Sequence, residues 1–116
     1  MPEADCLFCR IAQRSLPASI VAETETFVAF KDLNPQAPTH LLIVPKAHIP
    51  SLAEVDDAQA PLMGQAVQFA NRLAKDHRLL PEGYRLVINC GPQAGQSVWH
   101  LHLHLLGGRV LRWPPG

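Results

Sequence analysis

From His100 to Leu105 the chain reads His-Leu-His-Leu-His-Leu. A strict period of two belongs to the β-strand, where alternate side chains share a face. The pattern therefore predicts a strand over residues 98–106, stopped by Gly107-Gly108, with leucines on one face and all three imidazoles on the other. Neighbouring imidazoles start about 6.6 to 6.8 Å apart along such a strand. The leucine face is core. A merely solvated histidine face leaves the residue choice unexplained, since Thr, Lys or Glu would serve equally well. Two chemical readings remain open: the histidines bind a metal, or one attacks a group that its neighbours hold.

An unperturbed imidazole, pKa about 6.5, is mostly neutral at pH 7 and keeps one free lone pair. A hydrogen bond from one ring nitrogen to a backbone carbonyl fixes the other as a nucleophile. A second histidine nearby can hold a phosphate oxygen and offset developing charge. His102, flanked by His100 and His104, is the natural nucleophile, and His104 the natural phosphate contact.

The rest of the chain reads as an α+β domain. Residues 26–31, 40–44 and 84–89 are rich in β-formers, and a weaker strand covers residues 20–22. Residues 6–14 suit a short helix ended by Leu16-Pro17. Residues 58–77 form the main helix, with Leu62, Met63, Ala66, Val67, Ala70, Leu73 and Ala74 as its apolar stripe. Asp56 or Asp57 caps it, and Pro61 is tolerated in its first turn. About five strands are expected in a mostly antiparallel sheet, with both helices on one face.

At 116 residues, with no repeat or long linker, a single domain over residues 1–116 is expected. A formal net charge of zero gives no basic stripe for a nucleic acid. No apolar run approaches the roughly 18 to 20 residues of a membrane span. The acidic start, Glu3 to Asp5, does not resemble a signal peptide, so a cytoplasmic location is expected.

Cys6-x-x-Cys9 has the spacing of a zinc site, of a redox pair, or of chance. No strand precedes it, which argues against the redox reading. His48 and His100 are candidates to complete a closed, structural Cys₂His₂ set. Cys90 is expected to be a buried apolar residue and His77 a surface one. His40 opens a strand beside a Pro-rich loop, where structural and functional readings balance. Gly95 in the loop before the histidines lets backbone approach a ligand, and Ser97 adds a hydroxyl there.

His100 through Leu106 resembles the His-φ-His-φ-His-φ-φ signature of the histidine triad (HIT) superfamily, φ being apolar. The likeness is strongest to its Hint branch of purine nucleoside phosphoramidases. It extends over Leu16-Pro17-Ala18, residues 35–40, residues 95–98, Gly107-Gly108-Arg109 and Trp113-Pro114-Pro115-Gly116. The resemblance implies a homodimer with one continuous sheet. It implies hydrolysis at the α-phosphorus of a purine nucleotide such as AMP or GMP, through a nucleotidyl-histidine on His102. His104 and His40 would support the phosphate and the imidazole network, and Ser97 would meet the leaving group or a phosphate oxygen. Asp32 would hold the ribose hydroxyls, and Asn89, Gly95 and Gln96 would line the phosphate. Leu7, Phe8, Ile11 and Leu33 would form the purine slot. No metal is required for that chemistry, and dinucleoside polyphosphate cleavage or nucleotide binding without turnover are the alternatives.

The chain departs from many Hint relatives in two places. It carries the Cys-x-x-Cys of numerous bacterial-type members, in which Cys6, Cys9, His48 and His100 match zinc ligands. Lys31 stands where close Hint relatives often have histidine, which alters the ribose edge of the pocket.

Overall fold

The computed structural model describes residues 3–116. A short helix α1 (Leu7–Ala12) precedes strands β1 (Ile20–Glu23), β2 (Phe27–Lys31) and β3 (Thr39–Pro45). Helix α2 (Ala60–Asp76) follows, then β4 (Tyr84–Val87) and β5 (Leu103–Gly107). The sheet runs β1-β2-β3-β5-β4, and every neighbouring pair is antiparallel. The α+β class and five-stranded sheet are as expected. No helix among the described residues is long and apolar enough to cross a membrane.

The expectation that both helices cover one face fails: α1 and α2 lie on opposite faces of the sheet. Residues of one parity on the central strands (Phe27, Ala29, Leu41, Ile43, Leu103, Leu105) pack against Ala66, Phe69, Ala70, Leu73 and Ala74 of α2. Those of the other parity (Val28, Phe30, Leu42, Val44) pack against Phe8 and Ile11 of α1. Both faces are therefore covered, and β2 and β3 read as apolar runs without alternation, as strands buried on two sides do. The histidines lie on the α1 side.

A 3₁₀ turn, Asp57–Gln59, leads into α2 and is opened by a capping box. The Asp56 side chain accepts from Gln59 N–H, and the Gln59 side chain accepts from Asp56 N–H. Pro61 sits in the first turn as expected. The apolar stripe is shifted: Val67 is 47% exposed, and Phe69 is buried instead, stacked on Phe27. Gly107 closes the contact between β5 and the segment after α2, since a Cβ there would meet Leu79 Cδ1 and Cδ2 at 2.7 Å. Cys90 is exposed rather than buried, because the chain has left β4 by that point. His77 is half-buried at the end of α2, its ring bonded to Leu73 O.

The expected strand over residues 98–106 is the main correction. Only Leu103–Gly107 joins the sheet. The register pairs Ile43 with Leu103, which would set Leu101 opposite Pro45. Proline has no N–H to give to a ladder. Leu101 N–H turns instead to Ile49 O at 2.6 Å, and the chain carrying His100 and His102 peels away from β3.

Candidate active site and metal centre

The peeled segment sets three histidines in three environments. His100 is fully buried. Its Nε2 lies 2.7 Å from Pro45 O. A carbonyl only accepts, so Nε2 carries the proton and Nδ1 the lone pair. That Nδ1 is 3.2 Å from Cys6 Sγ and 3.5 Å from Cys9 Sγ. His48 Nδ1 lies 3.3 Å from Cys9 Sγ. Cys6 is the N-cap of α1, and its sulfur accepts from Cys9 N–H.

All four donor atoms fall within 4.8 Å of one another. Tetrahedral zinc with bonds of about 2.0 to 2.3 Å needs donor separations of roughly 3.3 to 3.8 Å. The four side chains meet that geometry with small movements. Burial pushes His100 down to about 4, with Pro45 O opposing, so it offers a neutral ring. Burial also pushes the Cys9 thiol up, an effect that a bound cation would reverse.

His102 turns its Nδ1 to the His100 carbonyl at 2.7 Å. The same reasoning gives Nδ1 the proton and leaves a lone pair on Nε2. Phe8 meets the ring edge-on at 5.1 Å between centroids, and the His104 ring centroid is also 5.1 Å from it.

His104 on β5 meets His40 on β3, with Nδ1 of the first 2.9 Å from Nε2 of the second. Gln36 N–H donates to His40 Nδ1 at 3.0 Å. The His40 proton is therefore on Nε2, donated to His104 Nδ1, and the His104 proton is on its own Nε2. Asp32 Oδ2 sits 3.4 Å from His40 Nε2. Burial holds His40 below the ordinary histidine value, and the Asp32 charge opposes it. Burial, then the neighbouring His102 and His40, push His104 down to about 4.

Asp32, His40 and His104 also bring three metal-capable atoms together. Their hydrogen bonds set them apart from the first cluster. His40 Nδ1 already accepts a backbone N–H, so giving Nε2 to a metal would leave the ring without either proton. His100 has the opposite arrangement, with its outer nitrogen donating to a carbonyl, as metal-bound histidines do.

The other expected residues are placed unevenly. Phe8 and Ile11 are buried, whereas Leu7 is 43% exposed and Leu33 98% exposed. Asn89 is half-buried just after β4, and Gly95 has the left-handed φ of 87°. Ser97 is exposed and lines a cleft of about 520 Å³ with Leu7, Pro50, Val98 and Trp99. The Gln96 side chain is committed within the loop: it donates to Pro50 O and Val98 O and accepts from Gly91 N–H. Its N–H bonds Gly91 O, so Gln96 holds the shape of the loop over residues 91–98.

Three parts of the site escaped the sequence reading. Two are main-chain groups, Pro45 O and Gln36 N–H, which no residue type announces. The third is the edge-on contact of Phe8 with the ring of His102. The helical spacing of Phe8 marked it as inward-facing but not what it would face.

A five-stranded antiparallel sheet presenting such a histidine set beside a short N-terminal helix defines the histidine triad class. The family model for the HIT domain matches residues 13–111, and the chain belongs to that family. A HIT family hydrolase from Legionella pneumophila Philadelphia 1 is 50% identical, with a TM-score of 0.95 over 97% of this chain and 100% of that one. A 14 kDa zinc-binding protein of Zea mays is 42% identical over 100% of this chain and 91% of its own length. A Zn-bound histidine triad family protein from Mycobacterium smegmatis is 32% identical, with a TM-score of 0.77 over 90% of this chain and 76% of that one.

Proposed function

We propose that this protein is a cytoplasmic Hint-type hydrolase that cleaves purine nucleoside phosphoramidates at the α-phosphorus. The observation that carries this reading is the 2.7 Å bond from His102 Nδ1–H to the His100 carbonyl. In the neutral imidazole this bond puts the proton on Nδ1 and the lone pair on Nε2, the form that a nucleophile needs.

Nε2 of His102 attacks phosphorus as the P–N bond breaks, and the leaving nitrogen departs as an amine, taking a proton that the solvent-exposed Ser97 hydroxyl relays from water. The Nε2–H of His104, held in that tautomer by His40 and Gln36, donates to a phosphate oxygen. Water then attacks phosphorus, the bond to Nε2 breaks, and the nucleoside monophosphate leaves. Asp32 takes the ribose hydroxyls, for which an acceptor-only carboxylate is suited. Leu7, Phe8, Ile11 and Leu33 form the purine slot, with Leu7 and Leu33 exposed at its surface. Asn89 and the backbone around Gly95 line the phosphate.

Cys6, Cys9, His48 and His100 would hold zinc. With four protein ligands and two thiolates the ion would supply structural cross-linking and no open coordination position. Two copies of the chain pair into a homodimer with a continuous sheet.

Incubation with an adenosine phosphoramidate tests the reading. Wild type is expected to release AMP and amine, and to do so faster than it cleaves a diadenosine polyphosphate. His102→Asn is expected to lose at least about a thousandfold in turnover, the scale seen when a nucleophile is removed. Full turnover by that variant would remove His102 from the mechanism.

A further inference from the structure

The cysteine–histidine cluster and the proposed nucleophile are linked through one residue, His100. The His100 ring points into the cluster, with Nδ1 facing both sulfurs and Nε2–H held by Pro45 O at 2.7 Å. Its carbonyl oxygen is the acceptor that fixes His102 Nδ1–H, also at 2.7 Å. A second connection runs through α1. Cys6 caps that helix, Cys9 lies within it, and Phe8 between them stands edge-on to His100 at 6.0 Å and to His102 at 5.1 Å. A helix of six residues has little stability of its own. Its place is set by what its residues are tied to, here the cluster on one side and the sheet on the other.

We propose that this cluster, when it holds zinc, is a positioning element for the nucleophile, with His100 as the positioning residue. Loading fixes the His100 carbonyl and the Phe8 ring, and through them the tautomer and orientation of His102. A neutral imidazole released from its acceptor divides the proton between its two nitrogens, and only the Nδ1–H form presents a lone pair at Nε2. The proposal rests on the reading of His102 as nucleophile and of the cluster as a zinc site. A purely structural clasp would change folding stability and leave the His102 ring unchanged.

The test uses full-length protein labelled with ¹⁵N at histidine, in four forms: zinc-loaded wild type, wild type after chelation, His48→Ala and His48→Cys. His48 is a member of the cluster with no hydrogen bond to His102. Ring ¹⁵N shifts should report a single Nδ1–H tautomer for His102 in loaded wild type and in His48→Cys, which keeps four donors. The chelated protein and His48→Ala should show a mixture, and kcat should fall about tenfold, the scale of losing one orienting hydrogen bond. Amide exchange across β3 and β5 should stay protected in both, showing an intact sheet.

An unchanged His102 tautomer in metal-free, folded protein overturns the proposal. If metal loss unfolds both forms, loaded His48→Cys is compared with zinc and with the larger cadmium ion. His102 shifts that follow the metal support positioning, and identical shifts overturn it. The ring spectra need no turnover, so a loaded wild type that releases no AMP removes the catalytic reading while the positioning result stands on its own.

Discussion

The imidazole of His104 is held near 4 by burial, with His102 and His40 beside it. An unfolded histidine titrates near 6.5. Between those values the unfolded chain binds a proton that the folded chain refuses, so folding stability rises with pH across about 4 to 6.5 and gains nothing more from this group above it. His40, lowered by burial, acts in the same direction. His104→Gln is therefore expected to flatten the slope of unfolding free energy against pH in that window, measured by urea denaturation at a series of pH values. An unaltered slope would show that folding does not lower the proton affinity of His104. The alternation made the histidines conspicuous in the sequence, and zinc spacing made Cys6 and Cys9 so. What separated the three histidines was their partners: a proline carbonyl, a histidine carbonyl, and a second histidine braced by an amide N–H. Main-chain groups of that kind depend on how the loop folds, which residue identity does not encode.

Element placement was legible wherever burial followed a simple period. β2 and β3 stood out by their run of β-formers, and α2 by its 3.6-residue stripe. Errors arose where one tertiary partner overrode local pattern. β5 is shorter than the alternation suggests because Pro45 ends the ladder on the facing strand. Val67 lost its place in the stripe to Phe69, whose ring found Phe27. The start of α2 was well marked, because Asp56 and Gln59 satisfy each other's backbone N–H groups without needing a distant partner. Asp56→Ala is expected to cost about 1 kcal/mol of stability, and Asp56→Asn much less. Matching urea midpoints with unchanged m-values for wild type and Asp56→Ala would show that the box contributes nothing.

At the scale of the molecule, the two sheet edges differ. β1 carries a register shift between Ile20 and Ala22 in its pairing with β2. A bulge of that kind twists an edge away and discourages further pairing. β4 pairs regularly along its whole length, from Tyr84 opposite Gly107 to Val87 opposite His104, and its other side has no strand partner among the described residues. The proposed homodimer is therefore expected to join through β4. This choice puts the partner one strand away from β5, the strand that carries His104. Light scattering should give twice the 12.8 kDa chain mass. Amides of β4 should exchange more slowly as protein concentration rises, and those of β1 should not change, since only a paired edge gains hydrogen bonds on association. Concentration-dependent protection at β1 would move the interface to the other edge. A monomeric mass at every concentration would leave the site complete within one chain.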